Sequence, residues 1–375
     1  MLQPRSFPFS AAVFFGLVIL LLLYTPRSNI LRDYSAHILH SYSKMEMTHH
    51  VEDVSNSTLG FQKIFAVGLP ERSDKRDALA LISSLTGFKV DWVDGVKGES
   101  IPDKALPYGV DRVQLWENNL GSWRGHLNAV RNIVEQGITT ALIVEDDVDW
   151  DVRLMSQLQI IAHGTQALQG LHTPLDDQDI ILDSPYGNNW DLLWLGHCGE
   201  VFPENLPENF SKQPGDPISR KFVVHADPTV PPPQHTHGFQ NFTAEPHTRW
   251  VHVTGGPICT FAYALSLSGA RKVLYDLSVD HLVGPFDNAL AGLCRWGRDE
   301  ERLDMKCLSV TPPVFVHHKA KGRVQADSDI QGYGGDGEVR SEGYTENVVW
   351  SARDNIRELM LGKDMKSQFR DTEVV

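Results

Sequence analysis

The stretch ALIVEDDVDW, Ala141 to Trp150, sets four apolar residues against three carboxylates, Glu145, Asp146 and Asp147, with Asp149 and Asp151 close behind. Crowded carboxylates repel and raise one another's pKa unless a cation neutralises them. Oxygen ligands on a short loop suit a hard cation such as Mg²⁺ or Mn²⁺. The uninterrupted apolar run suits a central parallel strand, and open α/β sheets bind ligands outside the carboxyl ends of their strands. The acids therefore stand where a ligand would. A purely local reading competes: Asp147, Asp149 and Asp151 would favour the dipole of a helix beginning near Val152.

Other chemical motifs are excluded by context. Gly332 to Gly337 spells G-x-G-x-x-G, but no strand precedes it and no apolar helix follows, so it reads as a loop. P-loop, H-E-x-x-H and G-x-S-x-G patterns are missing from the sequence. His235 and His237, with His225, His247 and His252 around them, lack the fixed spacing of a metal site and read as solvated loop histidines.

The elements that must position the acids follow from the apolar pattern. Strands are expected at KIFAVGL (Lys63 to Leu69), FKVDWV (Phe88 to Val93), TALIV (Thr140 to Val144), WDLLWLG (Trp190 to Gly196) and TFAYALS (Thr260 to Ser266). Helices are expected from Pro70 to Leu85, from Gly121 to Gln136 with a stop at Gly137, and from Gly269 to Leu277. Alternating strands and helices predict an α/β fold on a parallel sheet. Residues 201–250, Pro- and His-rich around TVPPPQHTHGF, predict a mobile surface insertion.

A chain of 375 residues with 41% hydrophobic content builds a sizeable core, and a net charge of −14 excludes a nucleic-acid footprint. Such a protein needs local positive charge or a cation to handle an anionic substrate. From Phe7 to Tyr24, eighteen residues carry no charge, enough to span a bilayer. We read residues 1–6 as a cytoplasmic tail, 7–24 as an uncleaved signal anchor, 25–58 as a stem, 59–350 as the folded domain and 351–375 as a C-terminal helix and tail. A cleaved signal peptide competes with the anchor. Sequons at Asn56, Asn209 and Asn241 fit a lumenal chain. Cys198, Cys259, Cys294 and Cys307 allow three disulfide pairings, or remain buried thiols.

Seven segments in order, FAVGLPERSDKR (from Phe65), GSWRGH (from Gly121), LIVEDDV (from Leu142), WDLLWLG, FAYALSLSGA (from Phe261), GPFDNAL (from Gly284) and ADSDI (ending at Ile330), resemble glycosyltransferase family 25. That family contains lipooligosaccharide glycosyltransferases and collagen galactosyltransferases. The chain departs from it at Ser122 and Gly125, where the family usually has Cys and Ser, and in the 201–250 insertion.

The resemblance implies a GT-A (Rossmann-like) nucleotide-sugar-binding domain and an inverting hexosyl transfer, such as that of galactose, from a UDP-sugar to a glycan, protein or lipid hydroxyl. It implies Mn²⁺ or Mg²⁺ held by Asp147 with Glu145 and His317, and donor contacts from Arg72, Arg76, Glu145, Asp146 and Lys319. The expected general base is Asp287, with Asp280 behind it; an N-cap role is the alternative for Asp287. The expected setting is a single-pass type II protein of the Golgi or endoplasmic reticulum with its catalytic domain lumenal. A catalytically silent binding protein is the alternative, followed by a metal-dependent phosphohydrolase with a second ligand cluster at Asp327 and Asp329.

Overall fold

A computed structural model of the chain describes residues 51–170, 184–209, 215–238, 246–299, 301–330, 335 and 337–369. The predicted anchor and cytoplasmic tail, most of the stem, Asn241 and most of the Gly332–Gly337 loop lie outside the described residues. Among the described residues no helix is long and apolar enough to cross a membrane. Residues 53–58, read as the end of the stem, belong to the folded unit, with Val54 buried in its core.

In chain order the main elements are β1 (Lys63–Gly68), α1 (Ser73–Leu85), β2 (Asp91–Asp94), α2 (Arg112–Leu115), α3 (Glu117–Gln136), β3 (Thr140–Glu145), β4 (Val148–Trp150) and α4 (Leu154–Leu168). There follow β5 (Leu192–Gly196), β6 (Lys221–Val224), β7 (Arg249–Val253), β8 (Ala262–Ser266), α5 (Leu267–Leu274), a π-helical turn (Tyr275–Asp280) and α6 (Phe286–Trp296). The chain continues through β9 (Cys307–Thr311), β10 (Phe315–Lys319), β11 (Gly322–Arg323), β12 (Val339–Arg340), β13 (Tyr344–Thr345) and α7 (Ile356–Leu361).

Eight strands form the main sheet in the order β2-β1-β3-β8-β5-β9-β7-β6. β1 pairs in parallel with both β2 and β3, as the alternating pattern predicts. The all-parallel expectation is corrected at β8, which runs antiparallel to both β3 and β5, and at β7, antiparallel to β9 and β6. The apolar content of β8 identifies a central strand, but direction depends on where the preceding loop enters. Among the described residues of 201–250, Lys221–Val224 and the start of β7 form regular strands. β6 and β7 form an antiparallel pair that extends the sheet, anchored by buried Arg249, whose Nε donates to Asp227 at 2.7 Å.

β3 carries no polar alternation because both of its faces are covered. Leu142 and Val144 enter the core beneath α1 and α4, whereas Ala141 and Ile143 enter the core beneath α3 and α5. α3 buries Leu120, Trp123, Leu127 and Val130 at helical spacing and ends at Gly137, whose φ of 65° allows a left-handed cap. A Cβ added at Gly121 would lie 2.5 Å from the Val96 carbonyl oxygen, so this glycine lets α3 meet the loop after β2. Two disulfides, Cys198–Cys259 and Cys294–Cys307, resolve the cysteine pairing and leave no free thiol.

Candidate active site

The acidic segment turns the chain from β3 into β4, which pairs antiparallel with β10 in a small three-stranded sheet completed by β13. That register brings His317 against Val148 and places its Nε2 3.6 Å from Asp147 Oδ2. The local helix-dipole reading is corrected for Asp147 and Asp149, since β4 intervenes and the following helix starts at Leu154; Asp151, just before it, accepts from the Arg153 amide at 3.0 Å.

The five acids divide by role. Asp149 is fully buried and accepts hydrogen bonds from Thr345, Ser351 and the Arg353 amide. Asp151 accepts from Arg153 and from the Trp350 amide. Both tie the C-terminal segment to the sheet. Arg353 closes the same brace by donating to the carbonyls of Asp146 and Val148, each at 2.9 Å.

Glu145, Asp146 and Asp147 instead face space. A cavity of about 360 Å³ opens beside Gly68, Gly95, Gly125 and all three acids. A second cavity, of about 610 Å³, is bordered by Glu145, Asp147, His317, Lys319 and Asp287. Glu145 and Asp147 border both, so the motif is the partition between two adjoining clefts. The sizes suit small-molecule sites. Glu145 is fixed by Thr260 Oγ1, which donates at 2.8 Å, and stands 3.5 Å from His126 Nε2. His126 in turn stacks on Phe286, the neighbour of Asp287.

Sequence reasoning missed the cation among these acids. Lys75 Nζ lies 2.9 Å from Asp147, 3.0 Å from Asp329 and 3.6 Å from Asp146, in a buried position. Its signal was available: Lys75, Leu79 and Ile82 share the buried face of α1 at helical spacing. Burial and the neighbouring Asp147 carboxylate push Asp146 up to about 7. Burial acts on Asp147 in the same direction, but Lys75 and His317 outweigh it and hold that carboxyl down at about 2. A like-charge pair split this way loses its second proton only near neutrality, so Asp147 is ionised well before Asp146.

Asp147 Oδ1 is buried and has no hydrogen-bond partner among the described residues. An orphaned carboxylate oxygen on the partition fits one ligand of a divalent cation, with His317 and Glu145 beside it. The three side chains do not converge into a closed site: among the described residues only Asp276, Asp280 and His281 bring three ligand atoms within 4.8 Å of one another. A cation at Asp147 would therefore complete its shell from a ligand in the cleft.

No protein-family profile matches the chain. Comparison with curated proteins finds procollagen galactosyltransferase 1 of Danio rerio, 22% identical over 338 residues, covering 84% of this chain and 45% of that protein. Procollagen galactosyltransferase 1-A of Xenopus laevis is 22% identical over 231 residues, 58% of this chain and 28% of its own length. The inactive glycosyltransferase 25 family member 3 of Homo sapiens is 23% identical over 246 residues, 62% of this chain and 32% of its own length. The chain is related to glycosyltransferase family 25. It spans less than half the length of these curated relatives.

The remaining family 25-like motifs fall unevenly around the partition. In GPFDNAL, Asp287 lines the larger cavity and sits within the first turn of α6; Pro285 is the N-cap, so the capping alternative is corrected. Asp287 Oδ2 accepts from the Cys259 amide at 3.0 Å, which ties it to the Cys198–Cys259 disulfide on the same wall. Asp280 borders neither cavity: it is exposed at the end of the π-helical turn and pairs with His281 at 2.8 Å. Its placement as a second base is corrected.

In PERSDKR, Arg72 and Arg76 border neither cavity. Arg72 is spent on Asp74 and Asp329, and Arg76 on Asp94, on the carbonyls of Gly68 and Leu69, and on the Trp92 ring. Both act as braces away from the cavities, and the cation of α1 that borders the smaller cavity is Lys75. Lys319 borders the larger cavity and pairs with Glu346 at 2.6 Å. In ADSDI, Asp327 is paired with Arg340, and Asp329 with Arg72 and Lys75, so neither is free to build a second metal site.

Proposed function

We propose that the chain is a metal-dependent inverting glycosyltransferase that moves a hexose, as the name of the procollagen galactosyltransferases suggests galactose, from a UDP-sugar to an acceptor hydroxyl. The observation that carries this reading is the Asp147 carboxylate on the partition between two adjoining clefts, with one oxygen orphaned and the other held by Lys75.

In this reading the smaller cleft, at the carboxyl ends of β1, β2 and β3, takes the nucleotide, where open α/β sheets bind such ligands. Asp147, helped by Glu145 and His317, would hold Mn²⁺ or Mg²⁺, which when bound supplies Lewis-acid charge to the departing diphosphate. Lys75 keeps Asp147 ionised and adds an ammonium beside the phosphates. The larger cleft takes the acceptor. Asp287 accepts the proton of the attacking hydroxyl; the new bond forms at the sugar's anomeric carbon as its bond to phosphate breaks, and UDP departs with that electron pair. Thr260 and His126 orient Glu145 beside the reacting centre. The two disulfides suit an oxidising lumen, and we place the domain in the Golgi or endoplasmic reticulum behind its anchor.

Inactive members among the relatives favour a second reading, in which the site binds a nucleotide sugar without transferring it. Calorimetry of UDP with and without Mn²⁺, beside a UDP-release assay, separates the readings. The transferase reading expects metal-dependent UDP binding and turnover, both nearly abolished in Asp147→Asn while thermal melts show the variant still folded at the assay temperature. Binding without turnover selects the silent protein. Unchanged metal-dependent binding in Asp147→Asn removes the metal site.

A further inference from the structure

A third cavity, of about 570 Å³, lies along α6 and is bordered by Tyr275, Asp276, His281, Asn288, Trp296 and Arg302. It is continuous in its lining with the larger active-site cleft, because Asn288 borders both and is the immediate neighbour of Asp287. Two aromatic residues on its border, Trp296 and Tyr275, are each 49% exposed. The Arg295 guanidinium lies 4.8 Å from the Trp296 ring centroid and is itself paired with Glu208, which holds the indole in place.

The floor is shaped by a glycine in mid-helix. Gly292 also borders the cavity, and a Cβ there would meet only Trp296 Cδ1, at 4.0 Å. Glycine inside a helix costs about 1 kcal/mol relative to alanine, and no close backbone approach requires it at this position. What the missing side chain leaves is room beside the indole. Around that room, Asn288 and Arg302 make no side-chain hydrogen bond among the described residues, and Asp276 is half-buried.

A pyranose ring has an apolar C–H face that stacks on an aromatic ring and an equatorial rim of hydroxyls that needs planar donors and acceptors. The cavity offers both. We infer that it is an acceptor subsite for a neutral oligosaccharide, holding sugar units beyond the one that enters the cleft beside Asp287. This deepens the proposed transferase reading and rests on it for the word acceptor; the binding itself does not.

Saturation-transfer NMR on the full chain, in a detergent without sugar head groups, tests the inference with lactose, cellobiose and a proline-rich peptide as probes. At least one disaccharide is expected to bind. Trp296→Ala is expected to weaken it by about tenfold, the scale of one lost aromatic stack. Gly292→Gln is expected to block it, with the melting temperature of both variants near that of the parent and UDP binding unchanged. Absence of disaccharide binding in the parent, preference for the peptide, or full binding by Gly292→Gln overturns the subsite. Loss of metal-dependent UDP binding with disaccharide binding intact would sink the transferase reading and leave the sugar site standing.

Discussion

At Lys75 the chain answers its own electrostatic problem. Three carboxylates surround one buried ammonium, and removing that ammonium leaves Asp147 and Asp329 without the cation they share at the edge of the smaller cleft. Breaking a buried ion pair from one side costs about 3–5 kcal/mol because the surviving charge is stranded. Lys75→Met is therefore expected to lose stability on that scale in denaturant melts at neutral pH, and a second change, Asp329→Asn, should recover part of the loss. A Lys75→Met protein as stable as the parent would show that the cluster is compensated by another group. Asp147→Asn also takes one partner from the ammonium, but Lys75 keeps Asp329 at 3.0 Å and Asp146 at 3.6 Å, so its loss of stability is expected to be smaller than that of Lys75→Met while the ionised oxygen that the proposed site uses is gone.

Among the elements, α3 and the loop after β2 are the pair whose spacing sets the smaller cleft. Gly121 borders that cleft and meets Val96, while Gly125 borders it beside Val67. Helix propensity alone makes Gly121→Ala stabilising by about 1 kcal/mol. The approach of 2.5 Å to a carbonyl oxygen overrides propensity, since backbone on both sides must shift. The substitution is expected to destabilise by about 1–3 kcal/mol and to weaken UDP binding, read by thermal melting and calorimetry. A raised melting temperature would mean that helix and loop are not in contact.

The whole molecule is held by the eight-stranded sheet, and two histidines buried around its β5–β9–β7 region make it acid-sensitive. Burial pulls His197 down to about 4 and His252 down to about 3, while His197 Nε2 meets the Val310 carbonyl at 2.9 Å and His252 Nε2 meets Thr311 at 3.0 Å. Both stay neutral in the folded chain, but their unfolded pKa is about 6.5. Their contribution is complete above that value and is lost as pH falls from there toward the folded values, because only the unfolded chain takes up the protons. The expected slope is roughly 1 kcal/mol per pH unit for each histidine. Melts from pH 7 to pH 4 should be visibly shallower for His252→Gln than for the parent, and equal slopes would show that His252 is not buried neutral.

Local patterns along the chain are enough to identify Ala141 to Val144 as a strand covered on both faces, the acids after it as standing at a sheet edge, and Gly137 as the end of a helix. Each follows from contacts between near neighbours in the chain. The motif order also carried the kinship to family 25, and Asp287 and Asp147 were named from it. Tertiary structure decided the rest. Lys75 and Asp147 are 72 residues apart and Arg72 and Asp329 are 257 apart, so no local pattern states that they pair. Arg72, Lys75 and Arg76 are three cations within one turn; only the direction in which α1 packs selects the middle one for the acids. The reversal of β8, the burial of Asn209 against the Pro203 carbonyl and the use of Asp149 and Asp151 as braces have the same origin. Which polar groups meet depends on where distant segments cross, and that is fixed by the packing of the two cores against one sheet.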